Sequence, residues 1–422
     1  MLISSAYDIL DGVLVGTFLG ETAFAAINLA MPFVIVAFAI GDLVGSGSSV
    51  PLAIHLGKGN AKRANEIFTG SCLMNIVSGA AMGAGFFLAA PHIMAAMGAT
   101  GELADTATVF LRVYALFLPL TTNLYAVDNF LRISGQIRRS FLVNVFMAVV
   151  GAALEIALLG FAGFGIWAAA LAYCLAMTIS VILAFLPFVR GQLTLKLVRP
   201  HIDAEMVGEV VRCGMPVFLE NVAGRVFSIV MNIVLLRMGG EQAVSIFGLL
   251  FFSAGIVMPL IYGAIDSVQP AVGYNWGAGL LGRVRSLELL CFASSAVLSL
   301  LFLVWVQLFP ETVTLLFLPD STPDFVALAS HALRLFSLAF IVRWVSTATQ
   351  GFMVAVGQTR LASFVSVVMA FAAPMVALVI LMPMGLDGLW LTMPLAAAIT
   401  AVACAYTLIR FVRTVHERAA RA

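Results

Sequence analysis

Apolar runs of bilayer length follow one another from the first residue to about residue 412, separated by short polar connections. A helix crosses the hydrocarbon core in about 20 apolar residues, and hydropathy divides the chain into twelve such spans. Only 10% of the residues are charged against 62% hydrophobic, whereas a water-soluble domain carries about 25% charged residues. So little charge cannot cover an aqueous surface. The expected fold class is an all-α membrane protein with twelve transmembrane helices and no soluble domain left over.

Internal repetition organises the twelve spans. Gly20-Glu21-Thr22-Ala23 recurs as Gly240-Glu241-Gln242-Ala243, a shift of 220 residues, and at the same shift Gly57, Gly59 and Arg63 fall on Gly277, Gly279 and Arg283. Gly135, Gln136 and Arg138 match Gly357, Gln358 and Arg360, and Gly165-Ile166-Trp167 matches Gly388-Leu389-Trp390. Hydropathy places the first-half spans near 1–18, 23–55, 64–90, 105–133, 140–160 and 165–189. The second-half spans fall near 209–237, 242–275, 285–309, 324–355, 361–382 and 388–412. Six spans is an even number, so both halves enter the membrane from the same side. Two six-helix lobes related by a pseudo-two-fold axis along the membrane normal are expected. The lobes fall at 1–190 and 207–413, joined by a linker at 191–206 and followed by a tail at 414–422. Met1 aligns with Asn221, yet the seventh span begins near Glu209. The first helix is therefore expected to be shortened at its N-terminus, through a start placed too late or a truncated gene.

Basic residues sort by connection. Lys58, Lys62 and Arg63; Arg132, Arg138 and Arg139; Arg190, Lys196 and Arg199; Arg283 and Arg285; Arg360; and the tail arginines all lie on alternate connections. The intervening connections, near 19–22, 98–104, 161–164, 310–323 and 383–387, contain none. The positive-inside rule then puts both termini in the cytoplasm.

Ionisable groups at bilayer depth cost a few kcal/mol or more and need a partner, water or a task. At about 1.5 Å per residue, Asp11 in the first span and Glu155 in the fifth lie at a similar depth below the outer end. Asn28 and Tyr173 reach the same level from the second and sixth spans, and Asp8 sits one turn from Asp11 on the same face. Such oxygen-bearing side chains on four spans suit a cation or proton site. The repeat supplies a control: Asp11 aligns with Met231, and Glu155 with Ala377 or Leu378. Carboxylates that served helix packing alone would be expected in both halves. Glu220 lies near mid-membrane in the seventh span, with Arg225 and Arg343 also deep. An acid–arginine pair holding helices together and a contact with substrate both remain open there. Asp42, Asp128 and Asp266 near the cytoplasmic ends suit snorkelling and contacts with Arg132.

Other chemistries find no footing. The net charge is +1, which gives no electrostatic argument for nucleic acid. Cys72, Cys174, Cys213, Cys291 and Cys404 stand singly in apolar runs and read as packing residues. The histidines have no metal-ligand spacing, and Gly57-Lys58-Gly59-Asn60 lacks the pattern of a phosphate loop. Neither an enzyme nor a resident cofactor is expected. Gly41-xxx-Gly45 and Gly79-xxx-Gly83 fit close helix contact, and the run from Gly45 to Ser49 belongs inside a span rather than in a linker.

The opening from Asp8-Ile9-Leu10-Asp11-Gly12 through Ala25-Ala26-Ile27-Asn28-Leu29-Ala30-Met31-Pro32 resembles the first two spans of multidrug and toxic compound extrusion (MATE) transporters. Leu56-Gly57-Lys58-Gly59-Asn60 and Gln269-Pro270 followed by Asn275-Trp276-Gly277-Ala278-Gly279 are similar to the family as well. The likeness is closest to the bacterial multidrug-export branch. It implies two six-helix lobes around a cleft, and a Na⁺- or H⁺-coupled antiporter that exports lipophilic, often cationic, drugs by alternating access. The host would be the bacterial inner membrane, with a monomer as the working unit.

By the same resemblance Asp11 and Glu155 fall on the cation-coupling acids, and would be the metal ligands if Na⁺ is the coupling ion. Asp8, Asn28 and Tyr173 join them, while Glu220, Met31 and Arg343 would line the substrate cavity. Glutamate stands at 155 where aspartate is usual, and Gly151 where asparagine is common. Val345, Ser346 and Thr347 occupy the region of the family's tenth-span aspartate, so no second cation site is carried over. A lipid-linked saccharide flippase of the same architecture, or an inactive truncated transporter, are the alternatives.

Overall fold

A computed structural model describes the backbone of residues 2–97, 99–317 and 322–419, and the side chains of residues 14, 18–19, 23, 26–27, 29–97, 99–240, 242–317 and 322–411. Among the described residues all regular structure is helical. The elements are α1 (Leu2–Gly57), α2 (Ala61–Ala96), α3 (Gly101–Thr121), α4 (Asn123–Ile133), α5 (Ile137–Glu155), α6 (Ile166–Val189) and α7 (Ala204–Gly277). They continue with α8 (Leu281–Leu308), α9 (Pro310–Phe317), α10 (Pro323–Ser337), α11 (Arg343–Ala355), α12 (Thr359–Val367), α13 (Ala373–Leu381) and α14 (Leu386–Ala419). Eleven segments among the described residues are long and apolar enough to cross a membrane. The expected span at 1–18 lies in α1, mostly outside the described side chains.

Most expected boundaries coincide with helix ends or breaks, and a few spans are joined or divided. Fifty-six residues in α1 make a helix about 84 Å long, more than twice the hydrocarbon thickness of about 30 Å. It therefore has length for two crossings. The same holds for α7, where the helix breaks at Gly240 with φ 66° and ψ −161°. That conformation suits glycine, which has no Cβ to clash, and Gly240 is the residue that the repeat pairs with Gly20. The turn glycines of the two halves also share a left-handed backbone: Gly59 and Gly279 at φ 75° and 73°, and Gly135 and Gly357 at 77° and 72°. The expected fourth and tenth spans are each built from two consecutive helices, α3 with α4 and α10 with α11. The connection expected at 310–323 contains the short helix α9, with Pro310 at its start, where a missing N–H costs nothing.

Two compact units divide the chain, Met1–Gly214 and Met215–Ala422. The first is held at one end by Leu52, Ile67, Phe68, Phe130, Phe188, Leu193, Leu195 and Met206. A second cluster, at the other end of the helices, gathers Ala26, Ala30, Phe110, Tyr114, Leu159, Ile166 and Cys174. The second unit centres on Phe227, Met231, Leu250, Ile261, Phe302, Phe340 and Trp390. Lipid tails are as apolar as leucine, so close helix packing relies on small residues. A Cβ on Gly41 or Gly45 would lie 3.0 Å from Thr122 Cβ or 2.9 Å from Ala126 N. On Gly79 or Gly83 it would lie 2.7 Å from the Leu118 carbonyl oxygen or 2.3 Å from that of Ala115. Both GxxxG motifs thus mark backbone contact, of α1 with the start of α4 and of α2 with α3. In the Gly45–Ser49 run, Ser48 and Ser49 donate to the Gly45 carbonyl within the helix.

The stretch before α7 is stitched to α2. Lys196 N–H donates to Asn65 Oδ1 at 2.9 Å, Val198 N–H to Thr69 Oγ1 at 3.1 Å, and Leu193 and Leu195 are buried. Asp203 caps α7 through Met206 N–H at 2.6 Å and takes a two-pronged contact from Arg63, at 3.1 and 3.3 Å. The Arg63 guanidinium and, after it, the Met206 N–H hold the Asp203 carboxyl below its ordinary range. A depressed carboxyl stabilises the fold above its unfolded pKa, and that stability is lost as pH falls through the folded value. Asp203→Asn should therefore melt at a lower temperature than the unchanged protein at pH 7. The gap should close as both are acidified through the carboxylate range, which thermal unfolding in detergent across pH 3 to 7 would measure.

Candidate functional site

Glu155 ends α5 and is completely buried, at 0% exposure. The helix widens immediately afterwards into a π-turn over Ile156–Phe161, a feature that re-aims side chains and often accompanies function. Tyr173 stands on α6, seven residues after Ile166, while Glu155 lies six residues before Phe161. At about 1.5 Å per residue both are about 10 Å below the same end of two adjacent, oppositely running helices. Tyr173 is half-buried, with its ring 6.1 Å from that of Tyr114, and it packs on the same cluster as Met31. Three and four residues after Glu155, Leu158 packs on that cluster and Leu159 belongs to it. The fold therefore brings the surroundings of Glu155, Tyr173 and Met31 into one region of the first unit. The side chains of Asp8, Asp11 and Asn28 lie outside the described residues.

A carboxyl group with no exposure in an apolar bundle responds strongly to its charge state. Ionised, it demands a proton or a cation to offset lost hydration, which costs several kcal/mol. Such a group can take up and release a small positive ion. Among the described residues no cluster of three or more His, Cys, Asp or Glu side chains forms a conventional metal site.

Glu220, on α7, is the centre of a network in the second unit. Tyr262 donates its hydroxyl to Oε1 at 2.5 Å, and Gln350 donates to Oε2 at 2.9 Å and to Ser366 Oγ at 3.1 Å. Tyr262 also feels the charges of Arg343 and Asp266. Arg343 is half-buried at the first residue of α11, with its Nε buried and lacking a hydrogen-bond partner among the described residues. Arg225 is exposed. Two hydrogen bonds to Glu220 thus come from a phenol and an amide that sequence reasoning did not single out.

The signal that could have found them is the repeat itself. At shifts of 220 and 222 residues, Tyr262, Gln350 and Ser366 fall on Asp42, Asp128 and Asn144. In the first unit those positions are also a network: Asp128 accepts from Arg132, from Ser140 and from Asn144 Nδ2 at 2.9 Å, and Asp42 accepts from Ser46 at 2.8 Å. Arg132 acts on both acids. Its expected contact with Asp128 is therefore present, as an ion pair one helical turn apart. Each unit places hydrogen-bonding groups at the same repeat positions, ionic in the first and largely neutral around a single acid in the second.

The MatE family profile matches residues 1–157 and 216–380, which is most of both units. The chain belongs to the MatE family, the MATE transporters. Multidrug export protein MepA of Staphylococcus aureus is 22% identical over 411 residues, covering 95% of this chain and 89% of the relative. MepA of Staphylococcus haemolyticus is 22% identical over 419 residues, covering 99% and 91%. Among solved structures, a MATE in the bent conformation superposes with TM-score 0.91 at 19% identity, covering 99% of this chain and 93% of the other. A MOP superfamily transporter from Pyrococcus furiosus, described as having a binding pocket of reverse polarity, superposes with TM-score 0.88 at 20% identity, covering 97% and 92%. This chain thus has the MATE fold, an all-α, multi-pass membrane architecture.

Proposed function

We propose that this MATE protein is a cation-coupled antiporter that exports lipophilic, often cationic, compounds by alternating access. The single observation that carries the reading is Glu155: a carboxyl with no exposure, near one end of the bundle, beside a π-turn and level with Tyr173. Asp11 is its partner acid on the first helix, with Asp8, Asn28 and Tyr173 completing the cation site. Met31, Glu220 and Arg343 contribute to the substrate cavity. Na⁺ or H⁺ is the coupling ion and needs no other cofactor. The MepA relatives, named multidrug export proteins, support the substrate class, and the alternation of basic connections supports a bacterial inner-membrane protein with cytoplasmic termini. It works as a monomer.

The cycle follows from differential affinity. With Asp11 and Glu155 ionised, the first lobe attracts a greasy cation. Entry of Na⁺ or H⁺ from outside neutralises the pair, alters packing around the π-turn and weakens the hold on the drug. Only a ligand that binds one state better than the other can shift the balance. Fluorescent-cation efflux from proteoliposomes under separately imposed Na⁺ and H⁺ gradients tests this: one gradient should drive efflux, and efflux indifferent to both would reject coupling.

A further inference from the structure

A groove of about 330 Å³ opens between α5 and α6 of the first unit, unrelated to Glu155 and at the opposite end of those helices. Its walls are Leu142, Val143 and Phe146 on α5 and Leu183, Leu186 and Pro187 on α6, and Arg139 and Arg190 stand at its rim. Leu142, Phe146, Leu183 and Leu186 are all exposed, as are the neighbouring Phe141 and Ile182, so this is a face bare of protein. Arg139 lies in the first turn of α5, whose N-cap residue Gln136 makes no side-chain cap, and Arg190 is the C-cap residue of α6. Among the described residues neither guanidinium has an acidic partner. Two unneutralised cations thus sit where the helices leave the membrane, directly above an apolar slot that runs into it.

We infer that this groove binds an anionic phospholipid, with its phosphate between Arg139 and Arg190 and an acyl chain along Leu142, Phe146, Leu183 and Leu186. Basic pockets between helices at the membrane edge hold such headgroups, and guanidinium forks match phosphate oxygens. A free anion would use the rim and leave the slot empty, whereas a lipid uses both. The repeat places Leu361 where Arg139 stands, so the second half has no arginine at that position.

The test is a titration of the purified full chain in neutral detergent with dioleoylphosphatidylglycerol, read by native mass spectrometry. Dioleoylphosphatidylcholine and soluble glycerophosphoglycerol serve as comparisons. At about 1 kcal/mol per basic residue near the lipid surface, Arg139→Gln should weaken phosphatidylglycerol binding about fivefold and Arg139→Gln with Arg190→Gln about 25-fold. Arg283→Gln with Arg285→Gln, on another basic connection, should leave it unchanged. Phosphatidylcholine should bind more weakly, and glycerophosphoglycerol should not displace the lipid. The inference is overturned if the double variant at 139 and 190 keeps full affinity, if the control pair loses as much, if phosphatidylcholine binds equally, or if the soluble headgroup competes fully.

Discussion

Glu155→Gln should bring cation-driven efflux down to the level of empty vesicles while leaving the amount of protein in the membrane unchanged. Glutamine keeps the shape of the side chain and its hydrogen-bonding capacity, so a position with 0% exposure stays filled. What it loses is the ability to exchange a proton or a sodium ion for negative charge. If the carboxyl merely joined α5 to its neighbours, the amide would serve and transport would persist. Glu155→Asp supplies the matching rescue: it retains the charge, so part of the coupled efflux should survive. On the proposed pairing of the two acids around one cation, Asp11→Asn should fail in the same way as Glu155→Gln. Efflux in proteoliposomes, normalised to protein quantified by immunoblot, gives both numbers from one preparation.

Gly214→Val should abolish folded protein rather than activity per molecule. A Cβ at Gly214 would lie 2.0 Å from the Leu43 carbonyl oxygen, and one at Gly47 would lie 2.2 Å from the Val210 carbonyl oxygen. The neighbouring atoms are backbone on both sides and cannot swing away as a side-chain tip would. The beginning of α7 and the middle of α1 therefore touch main chain to main chain, which explains why residues up to Gly214 belong with the first unit. Overpacking a close-packed contact costs about 1–3 kcal/mol and more where backbone must move, against a total stability of about 5–15 kcal/mol. Adding the bulk and β-branching of valine, the variant should lose most of its monodisperse peak in fluorescence-detected size-exclusion chromatography. Gly208→Ala, on the same helix with nothing within 4 Å of its added Cβ, should elute as the unchanged protein does.

Much of the architecture was open to reading because bilayer insertion imposes a coarse and regular code. The apolar runs, the shift of about 220 residues and both GxxxG pairs predict helices, duplication and close approach, and the backbone of Gly59 and Gly279 repeats as the pairing requires. Helix boundaries were harder. The break in α7 at Gly240 falls in the connection that Arg237 and Glu241 mark in the sequence, whereas α3 passes into α4 through Thr121 and Thr122, which are no more polar than many residues inside a span. The site divides in the same manner. Glu155 is a lone carboxylate in an apolar run and stands out at once. Tyr262, Gln350 and Ser366 are uncharged and leave no mark on hydropathy. They became visible through their hydrogen bonds to and around Glu220, and through positions shared with Asp42, Asp128 and Asn144. Side-chain direction was not legible either, since depth along a span says nothing of azimuth: Arg225 and Arg343 look equivalent by depth, yet the first is exposed and the second half-buried.

The exchange at the heart of this account can be watched without any membrane. Purified protein in weakly buffered detergent, loaded with either protons or ²²Na⁺, is mixed with a lipophilic cation while free pH and bound sodium are followed. Drug binding should expel one of the two ions in proportion to the drug bound, and Glu155→Gln should expel none. Saturable drug binding that displaces neither ion from the unchanged protein would contradict the antiport mechanism.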